Sequence, residues 1–446
     1  MYIDFLCQRF QEAGDKEAII WSDKICAYKE LKADLQKHLK TLPQILQEAR
    51  VIALEADFSP QSIALLLALI EYGRILVPLT KSVVHKKKRF LEIAEVEAVI
   101  EIDGNDQISC THTGRQASHP ILVELKKKKR PGLILFSSGS TGESKAAVHD
   151  LVPLLEKFKI CRHAMRSISF LLFDHIGGFN TLLYNLSNTG CIVTARDRKP
   201  ENICALIEKY RVETLPTSPT FLNLLLLSEA YKHYDLSSLQ LVTYGTEVMP
   251  ESTLEKIHTI LPHVRLLQTY GLSELGILRS KSKASNSLWV KIGGEGYETR
   301  VVDGILEIKA QSAMLGYLNA LSPFTEDGWF HTGDAVEVDG EYVKILGRTS
   351  EIINVGGEKV YPAEVESVLQ EMEGVEDVAV SGEKNPITGQ IVKAKVKLKT
   401  EESIAAFRKR MRSYCKEKLE GYKIPQKVDL VEDAMYGERF KKMRKE

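Results

Sequence analysis

The stretch LILFSSGSTGESK, residues 133–145, decides the reading of this chain. Its first four residues, Leu133, Ile134, Leu135 and Phe136, form a short apolar run of the kind that makes a buried strand. The run empties into Ser137, Ser138, Gly139, Ser140, Thr141 and Gly142, and the segment ends on Lys145. Small residues let a backbone approach an oxyanion closely, and hydroxyls with exposed N–H groups can wrap a phosphate. Lys145 adds a point charge. Serine–glycine runs are ordinarily flexible surface turns; the buried strand leading in favours a phosphate cradle here. The segment is not a Walker A loop. That motif needs Lys directly after its last glycine, whereas Glu143 and Ser144 separate Gly142 from Lys145.

Working outward, two further loops follow strand-like runs, the place where open α/β sheets bind ligands. They are LVTYGTE at 241–247, with Tyr244, Gly245 and Thr246, and LLQTYGLSELG at 266–276, with Tyr270, Gly271, Ser273 and Glu274. Taken alone, Glu274 is an ordinary helix-start acid. Further on stand MLGYLN at 314–319, GWFHTGD at 328–334 ending on Asp334, and GRTSEIINVGGEKVYPAEVE at 347–366. The last contains Arg348, Ser350, Gly356 and Gly357. An Asp after Gly is locally a turn former.

In this order and spacing, the stretches resemble the adenylate-forming superfamily: acyl-CoA synthetases, adenylation domains of peptide synthetases, and luciferases. The phosphate loop of that superfamily runs Ser/Thr-Ser-Gly-Ser/Thr-Thr-Gly, two residues, Lys; this chain carries Ser144 where Pro is more usual. The resemblance implies that residues 137–142 and Lys145 hold the ATP phosphates and that Tyr244, Gly245 and Thr246 lie along adenine. It implies that Tyr270 packs on adenine beside Gly271, Ser273 reaches phosphate and Glu274 holds Mg²⁺, which needs only one or two carboxylates plus phosphate oxygens. Asp334 and Arg348 would hold the ribose. His175, in the run His175-Ile176-Gly177-Gly178, would lie near the acyl pocket and the thiol route; a lone His is otherwise a satisfied core residue. Ser350 would be the hinge of a small mobile domain, and Gly356-Gly357 would border a tunnel for a phosphopantetheine arm.

This chain departs from the pattern in four places. One glycine is missing from the 244–246 loop, and Ser350 stands where relatives carry Asp or Lys. Ser144 is the third. The fourth is the tail, AMYGERFKKMRKE, which has neither Pro nor Gly in register with the family's catalytic lysine. Lys442 keeps an apolar residue after it, and Lys441 keeps Arg three residues on, so both are candidates for the adenylation lysine. A basic tail is otherwise usually a solvated end.

Bulk properties agree with a soluble globular chain. At 446 residues it is too long for one ordinary core. Apolar content is 44% and charged content 27%, with formal net charge zero, so no global field points to nucleic acid or an acidic membrane. The basic runs at 86–89 and 126–130 read as solvated faces. Seven scattered cysteines argue against a disulfide framework or zinc site and fit a reducing compartment. No signal-peptide pattern opens the chain and no apolar run is long enough to span a bilayer, so the expectation is a cytoplasmic protein without membrane or nucleic-acid partners.

Alternating periodicities predict helices at 5–11, 31–46, 59–73, 179–186, 201–210 and 220–227. Strands are predicted at 50–54, 74–79, 167–174 and 212–216. That alternation favours α/β architecture with parallel-rich sheets. From about 293 the pattern turns β-rich. After Arg348 come a helix at 363–370, strands at 375–381 and 391–398, and a helix at 403–419. The expected organisation is an AMP- and acyl-binding domain over 1–348 and a small mobile α+β lid over 349–446.

The expected activity is an ATP-dependent acid–thiol ligase with Mg²⁺ and coenzyme A. The alternatives are transfer to the phosphopantetheine of an acyl carrier protein, and a catalytically silent nucleotide-binding homologue. Neither the carboxylic acid nor the oligomeric state is legible.

Overall fold

The protein is described from a computed structural model covering residues 1–138, 143–437 and 440–444. Two seven-stranded sheets dominate its first half. In one, the parallel strands Val51–Glu55, Ile75–Leu79, Ala98–Ile102 and Gly132–Ser138 form the centre. Ser144–Asp150 pairs antiparallel with Gly132–Ser138. The other sheet runs Arg265–Gln268, Leu241–Tyr244, Thr214–Thr217, Arg166–Ile168, Cys191–Val193 and Glu17–Trp21, all parallel, and ends on Lys24–Ala27.

Helix Pro60–Glu71 is buried from Ser62 to Ile70, with Ser59 capping its first turn and proline at its start. It is apolar all round because one cluster joins it to residues of both sheets, including Leu54, Leu76 and Ile192, and to helix Ile176–Ser187. A six-stranded antiparallel sheet follows, in which Phe330–Asp339 pairs with Tyr342–Arg348.

A five-stranded sheet between Ile353 and Leu430 closes the chain. It has its own core with helices Pro362–Gln370 and Ile404–Cys415, built on Val365, Leu369, Val378, Phe407 and Met411. The protein is thus mixed α/β, with a large N-terminal and a smaller C-terminal domain.

Two expectations are corrected in extent. The strand expected at 167–174 pairs only over Arg166–Ile168. Beyond it the chain turns beneath the next helix: a Cβ on Gly178 would stand 2.0 Å from the Leu172 carbonyl oxygen, so only glycine admits the crossing. The helix expected at 403–419 is Ile404–Cys415. The hairpin Glu17–Ala27 and the pair Ala98–Ile102 with Ile108–His112 carried no clear period in the sequence. All seven cysteines are free thiols. Among the described residues, no helix is long and apolar enough to cross a membrane.

Candidate active site

The strands of both large sheets, the antiparallel sheet and the tail from Lys441 to Arg444 border one cleft of about 1200 Å³. Its position follows from topology, because the parallel strands deliver their following loops to one rim.

On that rim, Tyr270 and Asp334 meet. The Tyr270 hydroxyl donates to Asp334 Oδ2 at 2.5 Å, and Arg348 Nε lies 3.3 Å from Asp334 Oδ1. Asp334 and Arg348 are directly opposed across neighbouring strands, which brings the two motifs together. The backbone N–H of Asp334 donates to Thr332 Oγ1 at 3.0 Å, and that of Tyr270 to Ser280 Oγ at 3.2 Å. Burial raises the Asp334 carboxyl above its usual range against the opposing pull of Arg348 and Tyr270. Burial and the Asp334 charge together raise the Tyr270 phenol.

A second group lies where Gly132–Ser138 meets the short hairpin of Gly271–Leu272 and Gly276–Ile277. Buried Glu274 accepts from the Tyr317 hydroxyl at 2.7 Å and from Ser137 Oγ at 3.3 Å, both on Oε1. Lys145 stands cross-strand from Ser137, with its ammonium 5.3 Å over the Tyr317 ring. The Ser273 carbonyl accepts from His149 Nε2 at 2.6 Å. Burial lowers the His149 pKa, and its hydrogen bond to Ser273 sets this imidazole beneath the 273–274 turn. Ser138 ends its strand, and Gly139, Ser140, Thr141 and Gly142 lie outside the described residues.

In the 244–246 loop, Gly245 and Thr246 line the cleft, whereas the side chain of Tyr244 is buried in the sheet's core. Strand alternation is the reason: Thr243 and Gly245 face the cleft, and Tyr244 between them faces away. A Cβ at Gly245 would lie 2.6 Å from the Thr269 carbonyl oxygen, so this glycine is required by backbone approach. Thr246 is held at φ 75°, a conformation that side chains rarely adopt.

His175 caps helix Ile176–Ser187, its Nδ1 accepting from the Gly177 N–H at 3.1 Å, and it lines the cleft. Ser350 falls in the short turn Thr349–Glu351. Gly356 and Gly357, both at positive φ, form the exposed turn between Ile353–Val355 and Glu358–Val360 and do not border the cleft in this arrangement.

The tail is docked rather than frayed. The Phe440 ring packs tilted against Phe170 and edge-on to Phe221, and its carbonyl accepts from Ser218 Oγ at 2.7 Å. Lys441 and Lys442 both line the cleft. The Lys442 backbone N–H donates to Glu247 at 3.0 Å, while its ammonium turns to the Val378 carbonyl at 2.7 Å and Asp377 at 3.1 Å. Arg444 grips buried Glu366 and reaches Glu351 at 3.1 Å.

The sequence reading did not single out His149, Tyr317, Glu247 or Lys157. Glu247 closes the quoted 241–247 loop and Tyr317 sits in MLGYLN, so both had a positional signal; His149 and Lys157 had none.

Among the described residues no cluster of three or more His, Cys, Asp or Glu could hold a metal ion. Glu274 is a lone buried carboxylate with one oxygen accepting two hydroxyls, a donor that fits an ion completed by phosphate oxygens.

Residues 7–304 match the family described as AMP-binding enzyme, and residues 364–438 match the AMP-binding enzyme C-terminal domain. A 3-[(3aS,4S,7aS)-7a-methyl-1,5-dioxo-octahydro-1H-inden-4-yl]propanoyl:CoA ligase of Rhodococcus jostii is 28% identical over 321 residues, covering 67% of this chain and 61% of that protein. An indoleacetate–CoA ligase of Aromatoleum aromaticum is 28% identical, covering 60% of this chain and 57% of the relative. The chain thus spans about three fifths of the length of these two relatives. A 2-succinylbenzoate–CoA ligase of Enterococcus faecalis is 25% identical over 95% of this chain and 93% of its own. The crystal structure of the anthranilate CoA ligase AuaEII with anthranoyl-AMP superposes with TM-score 0.82 at 19% identity, covering 99% and 95% of the two chains. With a match that takes in both domains, the chain belongs to the AMP-binding enzyme family.

Proposed function

We propose that the protein is an AMP-forming acid–thiol ligase that adenylates a carboxylic acid with ATP and passes the acyl group to coenzyme A. One observation carries this reading. The Tyr270–Asp334–Arg348 cluster and the Ser137–Glu274–Tyr317 cluster open on one cleft together with the tail lysines. Asp334 can accept from both ribose hydroxyls with Arg348 beside it, and Tyr270 offers a face to the base. In this reading Ser137, on the cleft wall, receives the phosphates together with residues 138–142 and Lys145. Curated relatives named as CoA ligases support coenzyme A as the acceptor.

The barrier to adenylation is electrostatic, since an anionic carboxylate approaches an anionic phosphate. Glu274 and phosphate oxygens would hold Mg²⁺, which supplies charge neutralisation at the phosphates when bound. For the cation at the α-phosphate we assign Lys441. Arg444, three residues after Lys441, is the base locked on Glu366, and this fixes the register of the tail. The carboxylate's oxygen attacks the α-phosphorus, pyrophosphate leaves, and the coenzyme A thiol then displaces AMP from the acyl carbon.

For the second step we propose that residues 349–446 rotate about Ser350, which withdraws the tail and brings Gly356-Gly357 to the cleft mouth. The test is carboxylate-dependent exchange of pyrophosphate into ATP over a panel of acids, followed by detection of the acyl-CoA. Exchange with at least one acid class is expected; absence across the panel overturns the reading.

A further inference from the structure

The cleft extends past the nucleotide rim along helix Ile176–Ser187, where Gly177, Asn180, Thr181 and Tyr184 line it. Lys157, in the turn Glu156–Phe158, faces this end. Its ammonium donates to the Ile277 carbonyl at 3.0 Å and lies 5.1 Å over the Phe158 ring. An ammonium carries three donors, so one carbonyl leaves it undersatisfied.

The cleft's described carboxylates are all engaged elsewhere. Glu274 accepts from Tyr317 and Ser137, Asp334 from Tyr270 beside Arg348, Glu247 from the backbone N–H groups of Thr220 and Lys442, and Glu351 from Arg444. Among the described residues, no carboxylate lies within ion-pair distance of Lys157. Its titratable neighbour is His149, whose pKa burial lowers and Lys157 lowers further. Burial with no compensating acid pulls the Lys157 ammonium down to about 7. A lysine lodged at a cleft wall without a protein anion is a site built for an anion that comes from outside.

We infer that Lys157 forms a second anion-recognition site at the acyl end of the cleft and that the acid substrate is a dicarboxylate, one carboxyl adenylated and the other held by this ammonium. The apolar partners Leu171, Ile277 and Leu278 would contact the linker between the carboxyls, and Asn180 and Thr181 offer neutral hydrogen bonds beside it. This inference rests on the adenylation reading for the role of the first carboxyl.

The test pairs acids that differ only in the second carboxylate, adipate against hexanoate and ring-carboxylated phenylacetate against phenylacetate, on the full chain and on Lys157→Met. Both pyrophosphate exchange and calorimetric binding of the acid alone are read. The expected result is at least tenfold higher kcat/KM for the diacid of a pair, with Lys157→Met removing that preference while monoacid turnover stays within threefold. Retained monoacid turnover also shows that the variant is folded. Equal use of both members by the wild type, or an unchanged ratio in Lys157→Met, overturns the second anion site and leaves adenylation standing. Lys157-dependent binding of a diacid with no exchange from any acid supports the site and overturns the ligase reading instead.

Discussion

Arg444 and Glu366 form a forked ion pair: guanidinium Nε and NH2 each lie 2.8 Å from one carboxylate oxygen, across 78 residues of chain. Glu366 is 2% exposed and also accepts from the Val380 N–H at 2.9 Å, so the carboxylate is fully spoken for. With Phe440 anchored against Phe170 and Phe221 of the large domain, this pair fastens the tail to the small one. Lys441 is carried between the two anchors.

The first prediction concerns this fastening. Glu366→Gln strands a buried guanidinium, and removing one partner of a buried pair costs about 3–5 kcal/mol. Urea melts should show that loss, and a Glu366→Gln, Arg444→Met double variant should recover most of it. Against the cost of burial, Arg444 and Lys442 hold the Glu366 carboxyl below its usual range. Its contribution is therefore present above the ordinary carboxylate pKa and is lost as the pH falls through the lowered value. The wild-type advantage over the double variant should shrink in acid; a difference that is flat from pH 7 to pH 3 removes the role given to this pair.

The nucleotide cluster predicts a different signature. Asp334→Asn keeps the size but weakens hydrogen bonds made to a charge, each worth about 1.5–3 kcal/mol. The KM for ATP in exchange should rise roughly ten- to hundredfold, with the KM for pyrophosphate moving far less. Tyr270→Phe removes the hydroxyl on Asp334 and should act in the same direction, more weakly. Equal changes in both KM values place Asp334 outside the nucleotide site.

For the tail lysines, Lys441→Met should lower exchange by about a hundredfold, the usual loss for one preorganised charge at a transition state. Thioester formation from added acyl-adenylate should be spared. Lys442→Met removes the contact with Asp377 and should appear first as lost stability. The reverse pattern exchanges the two assignments.

Ser350→Pro tests the rotation. Proline fixes φ and restricts Thr349 before it, in the turn where the proposed swivel acts. Thioester output should fall by more than pyrophosphate exchange does. A fall no greater than that of exchange refutes a swivel at this position.

Much of this site was legible in the sequence because each landmark follows from a local physical need. Gly245 and Gly178 are fixed by backbone approach, and Asp334 with Arg348 by a cross-strand pair at set separation. The helices 60–71 and 362–370 announced themselves through apolar spacing with proline at the start. What stayed hidden is tertiary. Tyr244 sits in a quoted loop, yet strand alternation sends its ring into the core. His149 and Lys157 acquire meaning only when the hairpin of Ser273 and Ile277 folds over them from 120 or more residues away. The tail lacks the family's Pro and Gly, so only the docked Phe440 and Arg444 indicate its register.

The last prediction separates function from stability at Lys157. A protein that buries this amine without an acid beside it is less stable than one that does not. Replacing it by methionine, of similar shape and no charge, should therefore stabilise the fold by a few kcal/mol at pH 7. The sign with pH follows from a folded-state pKa of about 7 against an unfolded value of 10.5. The penalty is full below pH 7, where the folded state must carry the charge, and it vanishes as the pH climbs towards 10.5, where the unfolded state has also lost its proton. The gap in melting temperature between Lys157→Met and wild type should be largest below pH 7 and narrow steadily as the pH rises towards 10.5. His149, neutral on both sides of that range, cannot mimic the trend. A saturating diacid at pH 7 should raise the wild-type melting temperature and narrow the gap from the other direction, because the ligand supplies the missing charge. If Lys157→Met melts no higher than wild type at pH 7, the amine is not stranded as described, and the reason for expecting an anion beside it is gone.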